Sequence, residues 1–325
     1  MPTPNPDNPL IALLPQQEPP VPTPNPDDPL IDEALVRRLL AAQFPRWADL
    51  PLFPVPRSGM DNATFRLGTD MSVRLPRYPR WVGQVDREHE WLPRLAPHLP
   101  LPISEPLAKG EPGEGYPFPW SVYRWLPGET TEDLADPVEA AKELAGFVSA
   151  LQRIDATGGP GPSWSNAFRG VPMGDERDSV AVEARVRPKI EALRGIVDTG
   201  AVTVVWEAAL AAPAWDGPPV WIHGDLAPGN LLTVEGRLSA IIDFGTLAVG
   251  DPAVDLLPAW TFLPSEARDV YRDTLGVDDA TWARGRGWGL ASSLPVPDDP
   301  FYTDPVRVET ALRHLEEIIA DFRAT

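Results

Sequence analysis

The chain has 325 residues, a formal net charge of −19, 42 prolines and no cysteine. Its length allows two packed lobes, the absence of cysteine excludes disulfides and thiolate zinc sites, and the acidic balance argues against a nucleic-acid partner, which requires a basic face. No apolar run is long enough to span a membrane and no signal-peptide pattern is present, so we expect a cytoplasmic protein with no membrane partner.

The amino-terminal segment is rich in proline and contains a duplication. PTPNPDNPLI at 2–11 recurs as PTPNPDDPLI at 22–31. Such sequence has too little apolar surface to offset the entropy lost on folding. We therefore predict that residues 1–28 form an extended or disordered leader, with a docking segment as the alternative.

The next part of the chain, residues 29–126, has the pattern of a small sheet-based lobe. A helical period begins at Ile31, and alternating apolar residues predict strands between residues 51 and 76. A helix is predicted over 82–96, and a further strand over 121–126. These elements predict an N-terminal lobe built on an antiparallel sheet.

Residues 127–325 have a mainly helical pattern and form the predicted C-terminal lobe. The period of residues 137–154, with proline at the first turn, predicts a helix there. A strand-like block at 220–243 interrupts the helical pattern, and Gly285–Gly289 is interpreted as a helix-end loop. Further helices are predicted at 176–196, 201–212, 252–262, 265–275 and 305–323.

Two segments of the C-terminal lobe carry the chemistry. VWIHGDLAPGNLL at 220–232 and LSAIIDFGTLAVGDPAVD at 238–255 each begin with an apolar strand that leads to an acid. A strand end fixes the backbone while its loop leaves a carboxylate exposed. We therefore expect Asp225, Asn230 and Asp243 to bring three oxygen ligands to one point.

These segments carry a family resemblance. HGD at 223–225 followed by Asn230 resembles the catalytic loop of kinase-like enzymes, and DFG at 243–245 resembles their metal-binding element. The HGD form, together with the tripeptide Gly-Asp-Pro at 250–252 and Asp255, resembles the aminoglycoside phosphotransferase family. The resemblance implies an α+β, bilobal protein-kinase-like fold, with a small antiparallel-sheet N-lobe, a mainly helical C-lobe and ATP in the cleft.

The resemblance also implies the role of each of these residues. Asp225 would accept the proton of the substrate hydroxyl as the catalytic base, while Asn230 and Asp243 would bind Mg²⁺, which prefers hard oxygen ligands. A turn or helix cap is the alternative for Asp225, and a turn residue for Asn230.

Three neighbouring polar residues are predicted to be structural. His223 is expected to pack the loop and bond to backbone. Asp251 is expected to cap a helix, and Asp255 to brace the loop from a buried position.

The predicted nucleotide site begins with SGMDNA at 58–63, which is similar to the family's phosphate-covering hairpin. Gly59 would let the backbone approach the phosphates, and Ser58 or Asn62 would donate to phosphate oxygens. An ordinary hairpin turn is the alternative.

The chain has no lysine before Lys109, although kinase-like enzymes hold the nucleotide phosphates with a lysine. Arg74 occupies the matching strand position, with Glu88 as its expected partner, because a guanidinium fork also suits phosphate. A surface Arg–Glu pair is the alternative. Tyr123 and Trp125 correspond to the hinge that would receive adenine, although Trp125 also fits the core.

The predicted function is ATP-dependent phosphorylation of a hydroxyl on a small molecule, in the manner of antibiotic-resistance kinases. An aminoglycoside is the first choice of acceptor, which a net acidic protein would suit, and a macrolide or nucleoside antibiotic is next. The alternatives are a metabolite kinase of the choline or homoserine type, a non-catalytic nucleotide-binding pseudokinase, and a metal-dependent hydrolase.

Two sets of residues bear on the acceptor, and each has a second interpretation. Acidic residues near the carboxyl end would line an aminocyclitol site or form a solvated surface: Asp273, Asp278, Asp279, Asp298 and Asp299. Aromatic residues would line an apolar pocket or belong to the core: Trp260, Phe262, Trp282, Trp288, Phe301 and Tyr302.

Overall fold

The computed structural model describes residues 30–55, 61–130, 133–174, 179–295 and 305–325. Contacts divide the chain into two units. The sheet unit contains the described part of Pro22–Gly128 together with Ser239–Gly245, although that second segment lies well beyond the predicted lobe boundary at residue 126. The helical unit contains the described parts of Glu129–Leu238 and Thr246–Thr325. The predicted leader, residues 1–28, lies outside the described residues.

The sheet unit contains one five-stranded antiparallel sheet, with the strand order β1-β2-β3-β5-β4. The predicted strands and both predicted helices are confirmed, with ends shifted by at most two residues. In chain order the elements are α1 (Glu33–Gln43), β1 (Leu52–Pro54), β2 (Asn62–Leu67), β3 (Met71–Pro76), α2 (Val82–Leu95), β4 (Pro106–Gly110) and β5 (Trp120–Arg124).

The β2–β3 hairpin and helix α1 form the core of the sheet unit. Leu67 pairs with Met71 across the turn, where Gly68 has a φ of 60°, a conformation that costs glycine little. Apolar residues of the two strands are buried in one cluster with Leu39 and its neighbours on α1. Alternation along the strands therefore determines which face meets the helix.

Strand β4 was absent from the predicted elements. Pro106 and Gly110 are residue types that disfavour strand interiors, but β4 is an edge strand, where proline is tolerated. A Cβ on Gly110 would lie 2.0 Å from Cε2 of Trp120, its partner across the strands. The glycine is thus needed for the close approach of the indole.

The helical unit confirms most of the predicted helices. Asp136 caps α3, since its Oδ1 accepts a hydrogen bond from the Glu139 amide at 3.0 Å. Two small sheets accompany the helices, an antiparallel pair of β6 with β9 and a hairpin of β7 with β8. The elements are α3 (Pro137–Gln152), α4 (Val180–Ala192), α5 (Thr199–Ala211), β6 (Val220–Ile222), β7 (Leu231–Val234), β8 (Arg237–Ile241), β9 (Ala248–Gly250), α6 (Pro258–Thr261), α7 (Ser265–Leu275), α8 (Asp279–Ser293) and α9 (Pro305–Ala324). The division between the two units falls within β8.

The predicted helix over 252–262 is two short elements. Pro252–Leu256 forms a 3₁₀-helix, and α6 begins at Pro258. Proline has no amide hydrogen to donate and is accommodated in the first turn of a helix rather than in its interior. A nearly continuous apolar run extends across both elements, which explains why the sequence suggests one helix.

The interpretation of Gly285–Gly289 as a helix-end loop was wrong, because these residues lie inside α8. A Cβ on Gly285 would lie 2.6 Å from Cδ1 of Leu256, and a Cβ on Gly287 would lie 2.5 Å from Cβ of Ala209. The glycines let neighbouring elements pack against the helix backbone. Close packing therefore outweighs the low helix propensity of glycine here.

No helix among the described ranges combines the length and the apolar character required to cross a membrane.

Candidate active site

The loop after β6 brings Asp225 and Asn230 together in the helical unit. Asn230 Nδ2 donates to the Asp225 backbone oxygen at 2.8 Å and to its carboxylate Oδ2 at 3.2 Å. The Asp225 side chain is 35% exposed, so the carboxylate can meet a molecule from solvent. Asp243, the third residue expected at this point, belongs to the sheet unit.

His223 and Asp255 shape the backbone of this loop. His223 is fully buried, and its Nδ1 accepts a hydrogen bond from the Asp225 amide at 3.1 Å. The Asp255 carboxylate accepts from the His223 amide at 2.8 Å and from the Gly224 amide at 2.7 Å. Both residues are structural, as predicted. Burial raises the pKa of Asp255 to about 7, even though the two amides favour its charged form.

The predicted capping role of Asp251 is confirmed, and the residue also has a second contact. It accepts a hydrogen bond from the Ala253 amide at 2.9 Å at the start of the 3₁₀-helix. It also forms an ion pair with Arg284 of α8 at 2.8 Å, and both side chains are almost completely buried. The segment after β9 is therefore joined directly to helix α8.

Arg169 approaches the predicted base, a contact that the sequence analysis missed. Its Nη2 lies 3.3 Å from Asp225 Oδ1, and its Nη1 donates to Ser292 Oγ at 2.8 Å. Arg169 belongs to a loop between α3 and α4, remote in sequence from the recognised motifs. No local pattern distinguishes it from the other arginines of the chain.

In the sheet unit, Arg74 lies between two carboxylates. Its Nη2 is 2.8 Å from Asp243 Oδ1, and its Nη1 is 3.7 Å from Glu88 Oε1. The side chains of Arg74 and Glu88 are only 14% and 3% exposed, so the alternative of a surface pair was wrong. The predicted pairing of Arg74 with Glu88 is present, and the contact with Asp243 is the shorter one.

Tyr123 supports Glu88. Its buried hydroxyl donates to Glu88 Oε2, and its ring lies beneath the Arg74 guanidinium, with 5.5 Å between Arg74 Cζ and the ring centroid. Burial raises the pKa of Glu88, against the opposing charge of Arg74. The Tyr123 side chain therefore acts within this cluster, while the assignment of its backbone to the adenine hinge stays a prediction.

Asp243 has an unusual backbone conformation. Its φ is 64°, in the left-handed region that non-glycine residues rarely adopt. Arg87 Nη1 donates to the carbonyl of Gly245 at 2.8 Å, which holds the following turn to helix α2. A strained conformation that neighbouring groups hold in place is a feature of functional sites.

Two of the residues assigned to the phosphate hairpin, Ser58 and Gly59, lie outside the described residues. The third, Asn62, is buried, and its Nδ2 donates to Gln84 Oε1 at 3.4 Å. Its amide therefore faces helix α2.

Trp125, assigned to the hinge, is half-buried. Its amide donates to the Asp70 carbonyl at 2.7 Å, and the Arg66 guanidinium lies 4.7 Å from the centroid of its ring. The backbone N–H of Trp125 is thus already paired within the sheet unit, and the residue is not part of a fully buried core.

The three described acidic residues considered for the acceptor, Asp273, Asp278 and Asp279, are all exposed. Asp278 caps helix α8, and Asp279 pairs with Arg272. The four described aromatic residues belong to the buried core: Trp260, Phe262, Trp282 and Trp288. Asp298, Asp299, Phe301 and Tyr302 lie outside the described residues.

Asn230 of the helical unit and Asp243 of the sheet unit each carry an oxygen of the kind that Mg²⁺ accepts as a ligand. Within the described ranges no three His, Cys, Asp or Glu side chains cluster as a metal site, but Mg²⁺ needs only one or two protein ligands when phosphates supply others. Asn230 uses its amide nitrogen toward Asp225, which leaves its carbonyl oxygen on the opposite side. Asp243 is 32% exposed and could contribute a carboxylate.

A family model described as the phosphotransferase enzyme family matches residues 53–288, more than two thirds of the chain. No curated protein matches the sequence closely enough to serve as a relative.

Solved structures with a similar fold include antibiotic phosphotransferases. The GDP complex of wild-type aminoglycoside 2'-phosphotransferase-IIIa has a TM-score of 0.66 and 19% identity, covering 89% of this chain and 99% of that chain. The ADP-bound aminoglycoside phosphotransferase APH(2'')-Ib has a TM-score of 0.56 and 17% identity, with coverages of 89% and 99%. The macrolide 2'-phosphotransferase MphH from Brachybacterium faecium, an apoenzyme, has a TM-score of 0.52 and 25% identity, with coverages of 82% and 93%. These structures confirm the predicted kinase-like fold.

Proposed function

Because the chain belongs to the phosphotransferase enzyme family, we propose that it transfers the γ-phosphoryl group of ATP to a hydroxyl of a small molecule. The observation that carries the proposal is the geometry of the loop after β6. There Asp225 presents a partly exposed carboxylate, while Asp255 holds the amides of His223 and Gly224. A proton acceptor that must stay in one position needs a carboxylate on a rigid backbone, and this loop provides one.

Asp225 acts as the base in this proposal. The acceptor hydroxyl oxygen forms a bond to the γ-phosphorus, and the bond from that phosphorus to the bridging oxygen of ADP breaks. The hydroxyl proton passes to Asp225, and the products are a phosphate ester and ADP. Positioning and charge neutralisation supply most of the catalysis in such a transfer.

Arg74 supplies positive charge for the nucleotide phosphates, and Glu88 holds it. The guanidinium is anchored by Glu88, by Asp243 and by the ring of Tyr123. An arginine fork can bind phosphate oxygens while one of its nitrogens remains paired to a carboxylate. Ser58, Gly59 and Asn62 are retained as the proposed phosphate hairpin, and Tyr123 and Trp125 as part of the adenine hinge.

Asn230 and Asp243 are the proposed Mg²⁺ ligands. When bound, Mg²⁺ would neutralise charge on the phosphate oxygens. Asn230 has a second task, since its Nδ2 orients the Asp225 carboxylate. Asp243 is held by Arg74, so its orientation depends on the same cluster that would bind the nucleotide.

An aminoglycoside is the proposed acceptor, and a macrolide or nucleoside antibiotic is the next choice. The net charge of −19 favours a polycationic molecule over a neutral one. Solved structures of aminoglycoside phosphotransferases are similar to the chain over most of its length.

The test is a coupled assay of ADP release with ATP and Mg²⁺ against a panel of acceptors. The panel contains kanamycin, a macrolide, a nucleoside antibiotic, choline and homoserine, and the product is checked by mass spectrometry. Release with one acceptor should fall by about 10²–10⁴-fold in Asp225→Asn, with ADP affinity retained. Unchanged turnover in Asp225→Asn would refute the base role, and nucleotide binding without transfer to any acceptor would favour a pseudokinase.

A further inference from the structure

Arg169 joins the proposed base to the end of helix α8. Its guanidinium is 3.3 Å from Asp225 Oδ1 on one side and donates to Ser292 Oγ at 2.8 Å on the other. The Arg169 side chain is only 18% exposed, so the pair is shielded from water more than an ordinary surface ion pair. A shielded pair that is anchored at its far side restricts the motion of the carboxylate.

The loop that presents Arg169 is strained. Ala167 and Phe168, the two residues before it, have φ values of 56° and 57°. Each left-handed non-glycine residue costs about 1–2 kcal/mol. Phe168 is fully buried, and its ring meets that of Trp164 edge to face, which holds the unfavourable conformation in place.

The backbone at Arg169 is braced on both sides. The buried side chain of Asn166 donates to the Arg169 carbonyl at 3.1 Å. Gly170 accepts a hydrogen bond from the Asp251 amide at 2.8 Å, and a Cβ on Gly170 would lie 2.3 Å from Cδ1 of Ile222. The position of Arg169 is therefore determined by the same elements that hold the loop of Asp225.

The Asp225 carboxylate is held at both oxygens. Arg169 faces Oδ1, and Asn230 Nδ2 donates to Oδ2. Loss of either contact leaves the carboxylate held at one oxygen only, and small errors in the position of a reacting group can reduce a rate by about a hundredfold.

We propose that Arg169 is a positioning residue for phosphoryl transfer, which acts by holding the Asp225 carboxylate in its reactive orientation. The inference rests on the proposed function. Because Arg169 acts through Asp225, its loss should lower kcat and leave the nucleotide KM nearly unchanged.

The experiment compares Arg169→Ala, Arg169→Lys, Ser292→Ala and the control Arg194→Ala in the assay above, with the acceptor that the wild-type protein phosphorylates. Arg194 is in the same unit but forms only an exposed pair with Glu191. We expect kcat to fall about 10–100-fold in Arg169→Ala. In Arg169→Lys, which keeps the positive charge, kcat should recover partly. In Ser292→Ala kcat should fall only a few-fold, and in Arg194→Ala it should stay unchanged. Thermal unfolding midpoints and ADP affinity are measured for every variant.

The outcomes separate the inference from the proposed function. Wild-type kcat in Arg169→Ala would overturn the inference and leave the phosphotransferase proposal intact. Equal losses in Arg169→Ala and Arg169→Lys, with a lowered unfolding midpoint in both, would assign Arg169 a purely structural role and also overturn it. No transfer by the wild-type protein to any acceptor would overturn the proposed function, and the inference would fall with it.

Discussion

At the residue scale, Arg74 has two acidic partners that differ in exposure. Glu88 is 3% exposed and Asp243 is 32% exposed. Loss of the guanidinium would therefore leave Glu88 as an uncompensated buried charge, whereas Asp243 could be hydrated. The stability effect and the nucleotide-binding effect of Arg74 can be separated on this basis.

We predict that Arg74→Met lowers the free energy of unfolding by about 3 kcal/mol, the usual cost of breaking a buried ion pair from one side. Adding Glu88→Gln should restore more than half of that loss, since the charge is then removed. ADP affinity should fall about tenfold in both variants, because neither has the phosphate-binding fork. Urea unfolding and calorimetric titration measure the two quantities. Recovery of ADP affinity in the double variant would contradict the role of Arg74 in phosphate binding.

Asp255 is a second residue with a single, well-defined structural task. Its two carboxylate oxygens accept hydrogen bonds from consecutive amides of the base-bearing loop. Replacement by alanine leaves both amides without their acceptor in a buried place, where each unpaired group costs about 1–3 kcal/mol.

Asp255→Ala should therefore lose about 2–5 kcal/mol of stability, measured by urea unfolding. Asp269→Ala is the matched control, because Asp269 is exposed on α7 and its loss should change stability by less than about 0.5 kcal/mol. Equal stability of the two variants would show that Asp255 does not brace the loop.

At the element scale, helix α8 shows how glycine content can serve packing. Ala209 of α5 approaches Gly287 so closely that a Cβ there would lie 2.5 Å from the Ala209 Cβ. Met173 Cε would be 2.8 Å from the same added atom. In helix α3, by contrast, a Cβ on Gly146 would meet no atom within 4 Å.

The two glycines should respond to alanine with opposite signs. Gly146→Ala should stabilise the protein by about 0.5–1 kcal/mol through helix propensity and the reduced entropy of the unfolded chain. Gly287→Ala should destabilise it by about 1–3 kcal/mol, because overpacking exceeds the propensity gain. Chemical denaturation of both variants tests the prediction, and stabilisation by Gly287→Ala would contradict the packing of α8 against α5.

At the scale of the whole molecule, the half-buried His314 and the buried Asp255 make stability depend on pH in opposite directions. Burial, reinforced by Arg313, lowers the pKa of His314 from 6.5 to about 4. The stability contributed by neutral His314 is therefore present above pH 6.5 and is lost as the pH falls through 4. Asp255 has a raised pKa, so its contribution is present below 3.8 and is lost as the pH rises through 7.

We predict that His314→Leu reduces the loss of stability on acidification. Between pH 7.5 and pH 4.5 the wild-type protein should lose about 2 kcal/mol more than this variant, because the imidazole must take up a proton on unfolding. Urea unfolding at several pH values provides the comparison. Parallel pH profiles for the two proteins would show that His314 is not buried in its neutral form.

Most elements could be predicted because their signals are local. Asp136 followed by Pro137 marks the start of α3, and Gly68 marks the β2–β3 turn. Two of the elements that were missed, β4 and α8, contain residues of low propensity that are retained for contacts with distant partners. Those contacts are invisible to a pattern of neighbouring residues.

The sequence by itself determined the family, the kinase-like fold, and the pairing of Asp225 with Asn230. These follow from short motifs whose residues are close along the chain, so their spacing carries the geometry. Only the tertiary structure decided that Arg169 reaches Asp225. The same holds for the finding that Arg74 lies closer to Asp243 than to Glu88, and for the hydrogen bond from Tyr123 to Glu88. Each of these contacts joins residues far apart in sequence, where the packing of whole elements, and not local spacing, sets the distance between side chains.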